Sequence, residues 1–198
     1  MSDRKASVVR STSETSVEVA VDIDGDGDVD ADTGVGFLDH MIDGLGKHGF
    51  FDLQVACDGD VDETGDHHTV EDVGITLGSA FDEALDDREG IRRFADRKAP
   101  MDEAVSEVAV DVSGRPHTEI DLPLSEGEGQ IGDMSAVMVE HFFDSFAKNM
   151  GLTLHLEVSG ENNHHIAEAA FKGFALAMDD ATRYDERRKG VPSTKGEI

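Results

Sequence analysis

Two copies of a short histidine-rich motif are the residues of this chain best suited to chemistry. The sequence His67-His68-Thr69-Val70-Glu71 recurs 97 residues later as His164-His165-Ile166-Ala167-Glu168. A further histidine precedes each copy, His40 in the first half and His141 in the second. Imidazole and carboxylate groups are ligands for divalent transition metals. The duplicated pattern therefore indicates a metal site rather than scattered surface histidines.

The spacing within the motif determines how its residues can share metal ions. The first histidine and the glutamate are four residues apart, so on a helix they share one face and can bind the same ion. The second histidine is rotated by about 100°, so it must face something else and can serve a different ion. The duplication predicts two ligand sets: His67, Glu71, His141 and His165 for one ion, and His164, Glu168, His40 and His68 for the other. Three imidazoles and one carboxylate leave two positions of an octahedral ion open for substrate and water, as in a catalytic site.

Basic residues are the second group of interest, because the chain has 17 lysines and arginines against 44 acidic residues. Four cations are candidates for binding an anion such as phosphate: Arg93, Arg115, Lys172 and Lys195. Arg115 precedes Pro116, which favours an extended backbone. Lys172 follows Glu168 by four residues and so lies on the ligand-bearing face of the predicted helix. The glycine-rich phosphate loops of nucleotide-binding proteins are absent from the sequence, so a nucleotide cofactor is not indicated.

The elements that must position these residues also occur twice. In each half, strands of alternating apolar residues are followed by a helix-like run, another strand and a long amphipathic helix beginning at the motif. The first strands carry Val17, Val19, Val21 and Ile23 in one half, and Val108, Val110, Val112, Ile120, Leu122 and Leu124 in the other. The chain is predicted to be an α/β (α+β) protein of two repeats, at about 5–95 and 101–185. A polar joint is predicted at 96–100 and an exposed tail at 190–196.

An acidic run near the N-terminus resembles the start of a calcium-binding EF-hand loop, with Asp22, Asp24, Asp26 and Gly27. The twelfth position holds Thr33, where a bidentate glutamate is required, and the run follows a strand rather than a helix. We interpret it as an acidic hairpin turn.

Composition narrows the class of protein and its partners. The net charge of −27 repels nucleic acid and anionic membranes. Self-repulsion of this size is screened near 1 M salt, so we expect a protein adapted to a salt-rich, halophilic cytoplasm. Cys57 is the single cysteine, which excludes an intramolecular disulfide. The sequence has no apolar run of membrane-spanning length and no apolar secretory signal, so a soluble, cytoplasmic protein is expected.

Seven segments resemble, in order, the signatures of the imidazoleglycerol-phosphate dehydratase family. They are residues 10–15, 33–41, 66–72, 100–104, 111–116, 163–172 and 192–196. The resemblance implies a single domain over 1–198, made of two half-domains with four helices between two four-stranded sheets and a substrate-binding C-terminal tail. It also implies a monofunctional enzyme without a fused phosphatase.

The resemblance implies a hydro-lyase of histidine biosynthesis, which removes water from D-erythro-imidazole-glycerol phosphate to give imidazole-acetol phosphate. It further implies two manganese (Mn2+) ions per active site, at subunit interfaces of a homo-oligomeric 24-subunit shell built from trimers. The family's eight metal ligands match the two sets above. Residues matched to catalysis are Glu14, His48, Glu71 and Glu168. Residues matched to substrate binding are Glu14, His40, His48, Arg93, Arg115, Lys172, Ser193, Thr194 and Lys195.

One departure from the family and two other functions stay open at this point. Gly44 stands where the family commonly has glutamine, so a substrate contact through that side chain is absent or replaced. A dinuclear metallohydrolase acting on a phosphoester would also use paired metals and a cationic phosphate site. A metal-storage or metal-sensing shell would need the ions but not Arg93, Arg115 and Lys195.

Overall fold

The computed structural model describes residues 4–124, 129–196 and 198. The first half contains strands β1 (Lys5–Ser11), β2 (Thr15–Asp22), β3 (Val29–Asp32) and β4 (Asp52–Gly59), and helices α1 (Gly36–Gly49), α2 (Val61–Thr64) and α3 (His67–Leu85). The second half contains strands β5 (Phe94–Met101), β6 (Ala104–Asp111), β7 (His117–Asp121), β8 (Gln130–Ile131), β9 (Met134–Ser135) and β10 (Thr153–Ser159), and helices α4 (Val137–Met150) and α5 (Asn163–Thr182). None of the described helices is long and apolar enough to cross a membrane.

Both halves build a four-stranded sheet with the same topology. The strand order is β1-β2-β4-β3 in the first sheet and β5-β6-β10-β7 in the second. In each sheet the first three strands are antiparallel and the last is parallel to its neighbour. The repeated order confirms the predicted duplication.

The four helices longer than α2 lie between the two sheets. Helix α3 packs on β1 and β2, and α5 packs on β5 and β6. The helices also pair across the two halves, α3 with α4 and α1 with α5. This arrangement confirms the predicted sandwich of four helices between two four-stranded sheets, and it brings helices of opposite halves side by side.

The core consists of the residues that strand and helix periodicity selects. Val17, Val19 and Val21 are buried along β2 while the residues between them are more exposed. Between α4 and α5, the ring centroids of Phe143 and Phe171 lie 4.6 Å apart, within the range of favourable aromatic pairs. The motif helices are therefore anchored along most of their length by buried packing.

Glycines on α3 allow α4 to approach closely. A Cβ atom at Gly78 would lie 2.3 Å from the carbonyl oxygen of Phe146, and one at Gly74 would lie 3.0 Å from that of Phe142. A side chain at Gly78 would push the helices apart, because real Cβ atoms do not come that close to backbone. This contact sets the separation of the two helices just beyond the first motif.

Two details of the predicted organisation are wrong. The polar residues 96–100 are not a joint, because they lie within β5, the first strand of the second sheet. The acidic run after β2 is not a hairpin turn, because β4 lies between β2 and β3 in the sheet. The run is a crossing loop, and the Arg4 guanidinium Nε donates to Asp24 Oδ2 at 2.8 Å within it.

Candidate active site

The first metal-ligand group, here called the Glu71 group, lies between α3 and α4. It consists of His67, Glu71 and His141, whose donor atoms all lie within 4.8 Å of one another. Glu71 Oε2 is 3.7 Å from His67 Nε2, and Glu71 Oε1 is 3.5 Å from His141 Nε2. Around an ion with ligands at about 2.2 Å, donors are separated by about 3 to 4.4 Å. The three side chains can therefore hold one ion after small adjustments.

The second group, the Glu168 group, lies between α1 and α5. It consists of His40, His164 and Glu168, again with donor atoms within 4.8 Å of one another. Glu168 Oε1 is 2.9 Å from His164 Nε2 and 3.6 Å from His40 Nε2. Burial alone would raise the pKa of Glu168, but hydrogen bonds from Lys172 and His164 outweigh it and lower the pKa. The carboxylate is therefore ionised and available as a ligand.

Carboxylates hold the beginnings of the helices that carry these groups. Asp66, which precedes α3, accepts hydrogen bonds from the Ser135 amide at 2.5 Å and from its hydroxyl at 2.9 Å, just before α4. Asp133 accepts the amide hydrogens of Gly36 and Phe37 at the start of α1, at 2.7 and 2.8 Å. Unpaired N–H groups at a helix start are thereby satisfied. The short segment before α4 thus ties together three helix starts near the site.

The fourth member of each predicted ligand set lies apart from its group in this chain. The groups assembled by the described residues contain three ligands each, without His165 and His68. His68 Nδ1 lies 3.1 Å from Asp60 Oδ2, and His68 Nε2 lies 3.8 Å from Glu14 Oε1. His165 Nδ1 lies 2.6 Å from Glu103 Oε2. The second histidine of each motif thus faces away from its own group, as the helical rotation predicts.

The chemistry of the donor sets fits a divalent metal. The Nε2 atom of His141 is buried and has no hydrogen-bond partner among the described atoms, although it points at Glu71. A buried nitrogen without a partner is costly, and a coordinated cation would satisfy it. Neutral imidazoles with one carboxylate suit zinc, iron, nickel or manganese.

Residues matched to the imidazole and glycerol part of a substrate border these groups. Glu14 lies in the turn between β1 and β2, beside His68. His48 lies in the last turn of α1, where burial first and the charge of Lys172 second lower its pKa. Lys172 Nζ donates to Glu168 Oε2 at 2.6 Å. The structure therefore brings His48 and Lys172 to the Glu168 group and Glu14 to His68.

The remaining phosphate candidates form a separate cluster. Arg93 Nε donates to Asp111 Oδ1 at 2.6 Å, and its Nη1 donates to the Pro192 carbonyl at 2.7 Å. Arg115 Nη2 lies 3.7 Å from Asp111 Oδ2. Ser193, Thr194 and Lys195 follow Pro192 in the tail and are half-buried or exposed. The backbone of Arg93 has φ +76°, a left-handed conformation that is costly for a residue with a side chain.

The cationic cluster is far from the Glu168 group within one chain. The amide of Arg93 donates to the Ala181 carbonyl near the end of α5, at 2.8 Å. Thirteen residues of helix separate Glu168 from Ala181, which corresponds to about 20 Å. An imidazole and a phosphate joined by three carbons cannot span that distance. One substrate molecule therefore cannot contact both the Glu168 group and the Arg93 backbone of the same chain.

Three acidic residues at these places were missed by the reasoning from sequence. Asp60 and Glu103 contact the second histidines of the motifs, and Asp111 bridges the two arginines. In a chain with 44 acidic residues their type carries no signal. The duplication does provide a signal for Glu103, because Glu103 occupies in the second half the turn that Glu14 occupies in the first.

Comparisons with known proteins agree on one family. The family model for imidazoleglycerol-phosphate dehydratase matches residues 33–178. The imidazoleglycerol-phosphate dehydratase of Haloarcula marismortui is 60% identical over 198 residues and that of Halobacterium salinarum 54% over 199, with 100% of each chain covered. The crystal structure of the Staphylococcus aureus enzyme matches with TM-score 0.81 and 32% identity, covering 91% of this chain and 99% of that one. The Pyrococcus furiosus structure, in complex with (S)-C348, matches with TM-score 0.80 and 33% identity, covering 96% and 100%.

Proposed function

The chain belongs to the imidazoleglycerol-phosphate dehydratase family, the hydro-lyases of histidine biosynthesis, and we propose that it works with two divalent metal ions bound by its duplicated histidine motifs. The ions we propose are Mn2+. The reaction is the loss of water from D-erythro-imidazole-glycerol phosphate to give imidazole-acetol phosphate. The geometry of the two three-ligand groups supports this proposal, because each group combines two imidazoles with one carboxylate.

Each ion would be completed by a histidine from another copy of the chain. The Glu71 group would receive His165 and the Glu168 group would receive His68. Both imidazoles turn away from the groups of their own chain, which supports ligands shared between subunits. Two further positions of each octahedral ion stay open for substrate and water.

The ions and the side chains around them would have different roles in the reaction. Two cations on either side of a substrate imidazole would supply Lewis acidity that makes its ring N–H more acidic, so that the ring could donate the electron pair needed to expel hydroxide. Glu14 would move a proton at the glycerol carbons, because its carboxylate lies 3.8 Å from His68 Nε2, a proposed ligand nitrogen. His48 would lie beside the substrate next to the Glu168 group, and burial favours its neutral form.

The phosphate would be held by cations of more than one subunit. Lys172 lies at the Glu168 group, while the Arg93 backbone is bonded to Ala181, about 20 Å from Glu168 along α5 of the same chain. Arg115 and the tail lie in the Arg93 cluster. We therefore place Arg93, Arg115, Ser193, Thr194 and Lys195 of one copy against the metal groups of another. A closed assembly of 24 subunits would satisfy this requirement at every site.

The observation that carries the proposal is the pairing of ligands across the halves: His141 with Glu71, and His40 with Glu168. The test is an assay of the purified assembly in molar potassium chloride, with imidazole-glycerol phosphate as substrate, before and after chelation. The ketone product should form only when Mn2+ is restored, and phosphate should stay on the product. Full activity in verified metal-free protein would overturn the two-metal proposal, and release of inorganic phosphate would indicate a hydrolase instead.

A further inference from the structure

Two carboxylates that are not metal ligands hold the second histidine of each motif. We propose that Glu103 and Asp60 are positioning residues, which bind Nδ1 of His165 and His68 so that Nε2 of each ring is free to coordinate an ion. This inference rests on the proposed two-metal function. The inference also assigns different roles to equivalent positions of the two halves, which the duplicated motif alone does not predict.

Glu103 is fixed on both sides of its carboxylate. Oε2 lies 2.6 Å from His165 Nδ1. Oε1 accepts the amide hydrogens of Asn162 at 2.9 Å and of Glu161 at 3.3 Å, just before α5. Asn162 in turn caps α5 by accepting the His164 amide hydrogen at 2.9 Å. The β5–β6 turn, the start of α5 and the imidazole of His165 are therefore joined through one side chain.

Asp60 performs the same task by different geometry. Its Oδ2 and Oδ1 lie 3.1 and 3.3 Å from His68 Nδ1. The residue follows β4 and precedes α2, whose Thr64 hydroxyl donates to the Asp60 carbonyl at 3.2 Å. An ionised carboxylate only accepts hydrogen bonds, so of the two neutral tautomers of the imidazole it selects the one with its proton on Nδ1. The lone pair is then on Nε2, the arrangement seen in carboxylate–histidine–metal triads.

The strand registers show that the two carboxylates are not equivalent by duplication. The equivalent strands β2 and β6 begin at Thr15 and Ala104, so Val19 of the first sheet corresponds to Val108 of the second. Their partners are Val55 on β4 and Leu156 on β10, which are therefore equivalent too.

The residues five positions before Val19 and Val108 are Glu14 and Glu103, so these two are counterparts. The residues five positions after Val55 and Leu156 are Asp60 and Glu161, so Glu161 is the counterpart of Asp60.

The equivalent turn residues therefore face different nitrogens of equivalent histidines. Glu103 lies at Nδ1 of His165, whereas Glu14 lies on the Nε2 side of His68, at 3.8 Å. In the first half Asp60 supplies the contact to Nδ1, which leaves Glu14 free for proton transfer on the metal side. In the second half, among the contacts of the described residues, the Glu161 position contributes its backbone amide to Glu103. The neighbouring residue of the β5–β6 turn, Asp102, lies on the Nε2 side of His165, at 3.7 Å. In the second half the residue equivalent to Glu14 therefore holds Nδ1 of the histidine, and its neighbour lies on the side of the ring that would bind metal.

The substitution Glu103→Gln tests this assignment sharply. The side-chain amide oxygen of the variant would keep accepting the backbone N–H groups of Glu161 and Asn162. This places the side-chain N–H₂ of the variant against Nδ1 of His165. That contact favours the proton on Nε2 and removes the lone pair needed for coordination. The test is a titration of the assembled variant with Mn2+ in molar potassium chloride, followed by the electron paramagnetic resonance signal of free Mn2+. One of the two ions should bind to the variant about 10- to 100-fold more weakly than to the unmodified protein. Asp60→Ala should weaken the other ion similarly.

Matched controls separate positioning from general effects. Glu161→Gln and Glu161→Ala remove a charge beside the same helix start and should leave both affinities unchanged. Adding Glu103→Gln to His165→Ala should cause no further loss, because the positioned ring is already gone. Wild-type affinity in Glu103→Gln, an equal loss in the Glu161 variants, or additive losses in the double variant would each overturn the inference. Failure of the unmodified protein to bind two ions per chain would instead overturn the proposed function on which it rests.

Discussion

The imidazole of His141 points at the carboxylate of Glu71, with Nε2 and Oε1 3.5 Å apart, although the two residues come from opposite halves of the chain. The reciprocal pair, His40 and Glu168, is separated by 3.6 Å. Both contacts exist because α3 packs on α4 and α1 packs on α5. One repeat therefore supplies a glutamate and histidine on one helix but not the histidine that faces them, so neither half can form a group alone.

This reciprocity predicts that the two glutamates act on different ions. Glu71→Gln should weaken one metal site and Glu168→Gln the other, each leaving about one ion per chain at limiting Mn2+. Either change should lower turnover by at least about 100-fold, because both cations are needed to acidify the substrate imidazole. Metal counting by mass spectrometry after gel filtration, together with the dehydration assay, measures both effects.

Glu140→Gln is a suitable control for that pair of variants. Glu140 is an exposed carboxylate next to His141 on α4, outside both three-ligand groups of the described residues. It should keep two ions and full activity. If either glutamate variant of the two groups loses both ions, or keeps both at full affinity, the partition of one glutamate per ion is wrong.

A second prediction concerns Gly44, which lies one turn from both His40 and His48 on α1 and hence on their face of the helix. A Cβ atom there would meet nothing within 4 Å, so a side chain can be added without strain. Gly44→Ala should stabilise the protein by about 0.5 to 1 kcal/mol through helix propensity. Gly44→Gln should give a similar gain in stability and, in addition, lower KM.

Comparison of the two Gly44 variants isolates the side-chain amide. Thermal unfolding at molar salt measures the first effect, and steady-state kinetics measures the second. Equal KM values for Gly44→Ala and Gly44→Gln would show that this face of α1 does not reach the substrate through position 44.

The three-residue groups could be predicted from sequence because helix geometry converts spacing into direction. Residues four apart, such as His67 and Glu71, share a face, and the structure places them 3.7 Å apart. His68 is turned away by the same rule and contacts Asp60. The duplication then suggests the cross-half partners, because each repeat carries an upstream histidine, and in the structure His141 faces Glu71 and His40 faces Glu168.

The partners from strand ends could not be predicted in this way. Asp60 and Glu103 reach the histidines through sheet register and turn geometry, which are non-local. Non-local pairing also explains the two wrong expectations. The segment 96–100 is polar because β5 is an edge strand with most side chains exposed. The acidic loop after β2 resembles a hairpin turn because the insertion of β4 beside β2 cannot be seen in the local sequence.

The C-terminal tail provides a third prediction. Its Pro192 carbonyl is held by Arg93 at 2.7 Å, and Ser193, Thr194 and Lys195 follow Pro192 directly in the chain. Deleting residues 191–198 should raise KM by at least about 10-fold, since charge-assisted hydrogen bonds to phosphate contribute about 1.5 to 3 kcal/mol each. Metal content should stay at the level of the full chain. Unchanged kinetics would show that the tail takes no part in binding substrate.

Salt dependence is the fourth prediction. Chains that each carry a net charge of −27 repel one another strongly in dilute buffer, because the Debye length is about 30 Å at 0.01 M salt. Near 1 M salt the Debye length is about 3 Å, so the repulsion is weak. The assembly should dissociate or lose thermal stability as potassium chloride is lowered from molar to 0.01 M. Sedimentation velocity and thermal unfolding at both concentrations test this, and an intact, equally heat-stable oligomer in dilute buffer contradicts it.

The last prediction concerns pH and the anchor of the N-terminal strand. Arg4 is 5% exposed, and its guanidinium binds Asp24 through two nitrogens and donates to the Thr182 carbonyl at 2.5 Å. The hydrogen bond from Arg4 lowers the pKa of Asp24 below its ordinary value, although partial burial acts in the opposite direction. A carboxyl with a lowered pKa in the folded state adds stability above its unfolded pKa, near 3.9, and loses it as pH falls through the folded value.

The effect of Asp24→Asn should therefore depend on pH. Near pH 6 the variant should be less stable than the unmodified protein by about 1 kcal/mol or less, because the Asp24 side chain is about half exposed and the ion pair is partly screened. Below about pH 4 the difference in stability should shrink, since Asp24 of the unmodified protein becomes protonated and loses the charge that the variant also lacks.

Asp26→Asn is the control variant. It removes one negative charge from the same loop, and the described contacts do not join Asp26 to Arg4. Urea unfolding of the three proteins at pH 6, 4 and 3 in molar potassium chloride decides the matter. A deficit for Asp24→Asn that stays constant with pH, or that Asp26→Asn shares, would mean that the Arg4–Asp24 pair does not anchor the strand.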